Sequence, residues 1–251
     1  MSNSSLVVHT NLSPHCNKPR KYKIDTITIH HMAGNGSIES VGAMFANPTR
    51  QGSSNYGVGT DGRIALYVEE CNRAWTSSNG ENDHRAVTIE VANDINKAPW
   101  TVSDKALQSL ILLCADICKR NGIPKLLWRN DKSLIGQVDK QNMTKHNWFA
   151  ATTCPGPYLE SKFGYIADEV NKLLITEDEE MLSFEQWKEY QARYESEQSK
   201  LPPDEWAKES QAWCTDNGIS DGTYPKRYIT RQEVWTLLAR FAKYILGFIK
   251  K

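Results

Sequence analysis

The sequence predicts an α/β protein, a central mixed β-sheet flanked by helices, with a small all-helical C-terminal domain. Three observations predict it. Up to residue 175, short alternating β-branched runs take turns with longer stretches whose apolar residues recur at helical spacing. An acidic joint, ITEDEE at 175–180, then interrupts that pattern. Beyond it the chain reads as helical, and four of the eight tryptophans (Trp187, Trp206, Trp213, Trp235) lie in the last 71 residues, where a small domain needs large side chains to bury enough area. These features divide the chain into an N-terminal extension (1–22), an α/β domain (23–175), a linker (176–182) and a helical domain (183–251).

The elements follow in order. Residues 24–31, IDTITIHH, alternate and end a strand on two histidines. Gly34 and Gly36 break it, Ser37 caps a helix through IESVGAMFA, and Pro48 limits that helix. SSNYGVGTDGRIALYV reads as two strands joined at Asp61-Gly62, and AVTIEVAN (86–93) as another strand. From Ser103, the residues Leu107, Leu110, Ile111, Cys114, Ile117 and Cys118 mark one helix face, which Gly122 and Pro124 end. KLLW (125–128) looks like a short buried strand. Pro155 can open a helix, and Ile166, Val170, Leu173 and Leu174 give the next one its apolar face. In the tail, Ser183 with Gln186 and Thr230 with Glu233 fit capping boxes, and Gly218 stands at a helix C-terminus.

Composition narrows the function. Lysine plus arginine equals aspartate plus glutamate, 30 each, so no global cation excess exists to drive nucleic-acid binding. No apolar run is long enough to span a bilayer, and no secretory signal is evident, so we expect synthesis in a bacterial cytoplasm without a signal peptide. The six cysteines follow no framework spacing, and Cys114 with Cys118, one turn apart, read as core. His9, His15 and His84 are isolated and read as surface residues.

The chemistry concentrates in HNWFAATTC, where His146 and Cys154 are followed at once by Pro-Gly. With one of the two strand-end histidines they can close three corners of a tetrahedral zinc site and leave the fourth to water. Only one of His30 and His31 can face inward, because successive strand side chains point to opposite faces, and periodicity leaves either choice open.

ITIHHMAGNGS, SSNYGVGTDGRI, AVTIEVAN and HNWFAATTCPGPYL occur in the order and approximate spacing of the zinc-dependent N-acetylmuramoyl-L-alanine amidases, a family that includes phage lysozyme-type amidases and peptidoglycan recognition proteins. The resemblance covers about residues 23–175. It implies that His30, His146 and Cys154 bind Zn2+, that His31 packs nearby, and that Tyr56 and Thr152 line the reacting centre. Glu90 matches a glutamate that acts as acid/base in some relatives. Zinc would activate a water toward the amide between N-acetylmuramic acid and L-alanine in peptidoglycan, with Tyr56 or Thr152 holding the oxyanion and Glu90 protonating the leaving amine. His31, Trp75 and Asn93 would contact substrate. The chain departs from the family at Thr152, where phage members often carry lysine, at Gly57, where many have histidine, and at Thr76, where histidine often follows the tryptophan.

The tail segment WAKESQAWCTDNGISDGTYPKRYITRQEVWTLLARF resembles an S-layer-homology-type module, with Asp221, Arg231 and Trp235 at motif positions. Such modules attach proteins to secondary cell-wall polymers, which implies action at the wall after release from the cytoplasm. The alternative is a helical hairpin that uses Trp206, Trp213, Val234, Leu238 and Phe241 for core, or for a homo-oligomer contact. Two rival functions remain at this level: a non-catalytic peptidoglycan-binding protein using the same groove, and a structural zinc domain in which His31 or Cys71 supplies a fourth ligand.

Overall fold

The computed structural model describes residues 2–175 and 184–249. The linker expected at 176–182 and the Ser183 cap lie outside them. The chain separates into two compact units, Met1–Thr176 and Glu177–Lys251.

The first unit is built on a six-stranded mixed sheet in the order β1-β5-β4-β7-β3-β8. Its strands are β1 (Val7–Thr10), β3 (Thr26–His31), β4 (Tyr56–Val58), β5 (Ile64–Leu66), β7 (Ala86–Val91) and β8 (Met143–Lys145). Only β4 and β5 pair antiparallel, across the turn at Asp61-Gly62, where Gly62 has φ +85°. A two-stranded sheet joins β2 (Cys16–Asn17) to β6 (Arg73–Ala74). The segment before residue 23, set apart in the sequence reading, is woven into this unit through β1 and β2. Its backbone also meets the core directly, as Ser4 N donates to Tyr56 Oη at 2.9 Å.

The helices form where the sequence places them. α1 (Ile38–Ala46) starts at Ser37, whose side chain accepts from Ser40 N. α3 (Asp104–Asn121) starts at Ser103 in the same way and ends at Gly122, which sits at φ +65°. α2 (Gly80–Arg85), capped by Asn79, has no periodic signal because six residues are too few to show one. Past Cys154 a single helix, α4 (Pro157–Leu174), replaces the two expected ones, with Pro157 rather than Pro155 in its first turn.

Alternation sorts the sheet into two faces. Ile27, Ile29, Val87, Ile89 and Met143 point one way and pack under α3 and α4 with Leu110, Leu113, Phe163 and Ile166, all fully buried. Each such side chain contributes about 1.5–3 kcal/mol. Ile38, Val41 and Phe45 of α1 cover Ala65 and Tyr67 in a second, smaller cluster. Thr28, His30, Thr88, Glu90 and Thr144 occupy the alternate strand positions, so the sheet carries a polar strip that leads to the ends of β3 and β7.

KLLW is extended but is not a strand. Leu126 N donates to Asn171 Oδ1 (2.8 Å), Asn171 Nδ2 donates to Leu126 O (2.9 Å), Leu127 N donates to Asn142 Oδ1 (2.7 Å), and Asn142 Nδ2 donates to Lys125 O (2.8 Å). Two asparagine side chains thus imitate a neighbouring strand, which satisfies buried backbone without a ladder. Cys114 and Cys118 are fully buried, as expected. His15 and His84, read as surface residues, are buried instead, with His15 Nε2 2.9 Å from Asn47 O and His84 Nδ1 accepting from Lys21 N at 3.1 Å.

The second unit holds α5 (Phe184–Ser199), α6 (Glu205–Asp216) and α7 (Arg231–Ile249). Gly218, at φ +67°, ends α6, and Ile219 N donates back to Cys214 O at 2.9 Å. The Thr230–Glu233 capping box forms, with Glu233 N donating to Thr230 Oγ1 (3.2 Å) and Thr230 N to Glu233 Oε2 (2.7 Å). The expected tail core does not form: Trp206 is 84% and Leu238 60% exposed, with Trp213, Val234 and Phe241 exposed as well. Among the described residues of this unit only Ile219 is a buried hydrophobic. No described helix is long and apolar enough to cross a membrane.

We expect Asn171→Ala to leave the Leu126 N–H and C=O unpaired under α4 and to destabilise the fold by roughly 2 kcal/mol. Urea unfolding followed by tryptophan fluorescence measures it.

Candidate metal centre

In-register parallel pairing sets His30 beside Glu90 at the ends of β3 and β7. β8 pairs with the other edge of β3 and runs into a 3-10 turn, His146–Trp148, which brings His146 to the same end of the sheet. The His30 and His146 rings lie 4.9 Å apart. The loop that follows returns Cys154 to them, with its Sγ 3.4 Å from His30 Nδ1. One donor atom from each of His30, His146 and Cys154 falls within 4.8 Å of the others.

The choice between the two strand-end histidines is settled by the sheet. His30 shares the polar strip with Thr28 and is fully buried. Its Nε2 lies 3.2 Å from Ser77 Oγ, which leaves Nδ1 turned toward Cys154. Ser77 is itself held in place: Asn82 Nδ2 donates to its hydroxyl (3.3 Å) and to Thr28 Oγ1 (3.0 Å), while Thr144 Oγ1 donates to Asn82 Oδ1 (2.9 Å). The carboxylate of Asp83 accepts from the Thr76 and Ser77 backbone N–H groups, both at 3.0 Å. This support of the ring through its second nitrogen is the arrangement by which ligating histidines are oriented. Ser77, Asn82 and Asp83 escaped the sequence reading, and the Asn79 cap of α2 was the only local signal available.

The donor set fits a metal ion. Donors about 2.0–2.3 Å from a tetrahedral cation stand about 3.3–3.8 Å from one another, so the cluster needs only a small contraction. His146 Nε2 is shut off from solvent and has no hydrogen-bond partner among the described residues, a cost that a bound cation would relieve. Burial pushes both His30 and His146 below the usual imidazole range, which keeps them neutral and able to ligate. Burial pushes the Cys154 thiol upward, so a metal ion taken up here must displace that proton. Neither His31 nor Cys71 joins the cluster, so no fourth protein ligand closes the site among the described residues.

The remaining candidates divide between site and scaffold. Glu90, Thr152 and His31 line one groove of about 560 Å3 together with His146 and Cys154. Glu90 is half-buried, its Oε2 sealed from water and unpartnered, and desolvation raises its carboxyl to about 8. Thr152 is exposed, and its Oγ1 accepts from Cys154 N at 3.2 Å, shaping the loop that carries the thiol. His31 stands edge-on to Trp100, 5.4 Å between ring centroids. Gly156, at φ +81°, lets the chain pass His31 where a Cβ would come within 3.2 Å of Nδ1.

Tyr56 lies elsewhere. It pairs in register with Ile89, not Glu90, so its side chain points to the apolar face, where its hydroxyl donates to Glu70 Oε1 at 2.6 Å. Glu70 is fully buried and meets Arg120 at 2.7 Å, so the tyrosine belongs to a buried structural network. The site-facing position of β4 is Gly57, where any Cβ would strike the Tyr67 ring. Trp75 does not line the groove either. Its Nε1 donates to Asn17 Oδ1 (2.8 Å), and its ring leans on His15 at 5.7 Å. Asn93 is fully buried and braces loops, with Nδ2 donating to Trp100 O (2.8 Å) and Oδ1 accepting from Gly34 N (3.2 Å).

Glu90 should leave a pH signature in protein stripped of metal. Its folded pKa lies above its unfolded one, so below about 4.5 the carboxyl is neutral in both states and costs nothing. Between there and about 8 the unfolded chain ionises first, and stability falls as pH rises. Glu90→Gln should therefore match the native protein at pH 4 and exceed its stability by a margin that grows as pH rises toward 8. Thermal unfolding of both proteins across that range reads the difference.

A family model described as N-acetylmuramoyl-L-alanine amidase matches residues 20–157, more than half of the chain. No curated protein matches it. Among solved structures it resembles the Staphylococcus aureus hydrolase AmiA in complex with its ligand, with TM-score 0.50 and 14% identity over 66% of this chain and 82% of that one. It also resembles a mutant of PlyL (TM-score 0.49, 16% identity, 65% and 97% covered). A third likeness is to a selenomethionine form of AmpD (TM-score 0.47, 18% identity, 66% and 99% covered). At 14% identity the likeness to AmiA speaks for the fold alone, and the family match speaks for the chemistry. The chain belongs to the N-acetylmuramoyl-L-alanine amidase family, and it is an enzyme that cleaves the amide joining N-acetylmuramic acid to the L-alanine of peptidoglycan.

Proposed function

We propose that the enzyme is a zinc-dependent, endolysin-like amidase. The observation that carries this reading is the meeting of His30, His146 and Cys154 at one end of a groove that also holds Glu90. Two imidazoles and one thiolate are a donor set that suits Zn2+, and they leave one position open. When bound, zinc supplies Lewis acidity and a water of lowered pKa.

The chain's own residues do the rest. His30 Nδ1 and Cys154 Sγ hold their side of the centre, with Ser77 fixing the His30 ring. Glu90 moves the proton: a desolvated carboxyl beside the donors can accept one from the attacking water and return it to the leaving nitrogen. Thr152 receives a backbone N–H through its oxygen, so its own O–H is free to donate into the groove toward a developing oxyanion. Tyr56 takes no part in this, because its hydroxyl is spent on Glu70. His31 walls the groove beside the reacting end.

For the tail we propose attachment to a secondary cell-wall polymer. The S-layer-homology-like segment supports this, as does a cleft of about 500 Å3 lined by Asp221, Tyr224, Arg227, Tyr228 and Arg240. Asp221 accepts from Thr223 N (3.0 Å) and Thr223 Oγ1 (2.8 Å), which orders the rim of that cleft. Arg231 and Trp235 lie exposed on α7 outside its lining. A second reading, a homo-oligomer through α7, is supported by exposed Val234, Leu238, Phe241 and Ile245, whose 4-3-4 spacing makes one stripe. We propose further that the enzyme acts at the cell wall after release from the cytoplasm in which it is made, a reading supported by its peptidoglycan substrate class.

Purified wall treated with zinc-loaded native protein should yield free stem peptides beginning with L-alanine, and Cys154→Ser should lower that yield by at least about a hundredfold. Equal release by both proteins defeats the assignment of the thiolate. Removing residues 181–251 should weaken sedimentation with wall fragments more than it slows turnover of a soluble muropeptide; equal losses defeat a separable tail.

A further inference from the structure

The two histidines of the donor cluster are not held alike. The His30 ring is fixed through Ser77 Oγ, 3.2 Å from its Nε2. No hydrogen bond reaches the His146 ring among the described residues, and its Nε2 is shut off from solvent without a partner. Without a second group on the ring, the direction of His146 depends on how firmly the backbone on either side of it is held.

That backbone is gripped from the other side of the sheet. Side chains alternate along β8, so Lys145, in register with Ile29, lies on the face opposite Thr144, toward α4. Its buried ammonium donates to Glu160 Oε1 (2.5 Å) and Asn130 Oδ1 (3.0 Å), and it stands over the rings of Trp148 (5.2 Å) and Trp128 (5.8 Å). The second oxygen of the same carboxylate, Glu160 Oε2, accepts from Asn147 Nδ2 at 3.2 Å. One carboxylate of α4 thus takes hold of the residues directly before and after His146, while the histidine between them lines the groove. Asn147 also reaches the thiolate donor, since its backbone N donates to Cys154 O at 3.1 Å. Glu160 N donates to Gly156 O (3.0 Å), so the carboxylate is carried by the first turn of the helix that starts three residues after Cys154.

We propose that Glu160 is a positioning residue for the metal centre: through Lys145 and Asn147 it sets the direction of His146 and the spacing between His146 and Cys154. This rests on the zinc reading of the three donors. Neither Glu160 nor Asn147 lines the groove, so the pair acts on the ion only through its ligands. The competing explanation is an ordinary ion pair under a helix, which would stabilise the fold whether or not metal is bound. Against it, Asn147 shares the carboxylate although the ion pair needs only Lys145, and both oxygens are used on chain neighbours of one donor. Supporting contacts around a metal ligand change affinity by about tenfold to a hundredfold.

The test measures Zn2+ affinity of the full-length protein by competition with a chromophoric chelator, beside thermal unfolding of the metal-free protein. Asn147→Ala, which leaves the Lys145–Glu160 pair in place, should weaken zinc binding by about tenfold or more. Glu160→Ala should weaken it at least as much. Glu160→Gln should restore most of the affinity, because its amide can donate to Asn147 Oδ1, a buried oxygen without a partner, and still accept from Lys145. Asn171→Ala, which unpairs Leu126 under the same helix, should lower stability and leave zinc affinity at the native value. In Co2+-loaded protein the visible ligand-field bands of the native and Glu160→Gln forms should coincide, and those of Asn147→Ala should move. Native zinc affinity in both Asn147→Ala and Glu160→Ala overturns the proposal, as does an equal loss in Asn171→Ala. A native protein that binds no zinc overturns the metal reading and the clamp together, whereas tight native binding with unchanged variants overturns the clamp alone.

Discussion

The in-register parallel pairing of β3 with β7 and β8 is the constraint on which the site depends. It places His30 opposite Glu90 and lets the chain run from β8 directly into His146. Because side chains alternate with a period of two, a slip of one residue would carry the donors to the apolar face and turn Ile27 and Ile29 out of the core. The hydrophobic demand of one face thereby sets the position of the polar chemistry on the other. Packing under α3 and α4 and placement of the donor cluster are two consequences of one register.

That arrangement has an energetic cost in the polar strip. Thr28, Thr88, Thr144, Asn82 and Ser77 are all buried, and each would destabilise the sheet if left unpaired. They bond to one another instead: Thr28 Oγ1 and Thr144 Oγ1 are 2.7 Å apart, and the hydroxyls of Thr76 and Thr88 are 2.8 Å apart. A satisfied network of this kind is rigid, and it ends on the His30 ring. Among the described residues, buried polar atoms are left without a hydrogen-bond partner at the groove on His31, His146 and Glu90, and elsewhere on His9, Arg73 and Asn147.

Much of this was legible in the chain. TITIHH, AVTIEV and the Ser-capped helices announce themselves by period and cap, and HNWFAATTC with the strand-end histidines announces a donor set. Tyr56 was misread because an aligned motif fixes position along a strand but not the face it presents, and here its Cα partner is Ile89. KLLW was misread because its backbone is satisfied by Asn142 and Asn171, residues 15 and 45 positions away. The N-terminal residues were set apart because four-residue β1 has too few alternations to register, although it completes the sheet edge. In the tail, the tryptophans suggested a core by composition, yet Trp206 and Trp235 stand in solvent.

By itself the sequence determined the local elements and narrowed the candidate metal donors to His146, Cys154 and one of two adjacent histidines, since period, capping and side-chain chemistry are properties of neighbouring residues. Tertiary structure alone decided which of two adjacent histidines turns inward, which hydroxyls reach the groove, and that Arg63, Arg85 and Arg120 are each held by a carboxylate. Those outcomes rest on registers and contacts between segments far apart in the chain, and a linear pattern carries no distance between such segments.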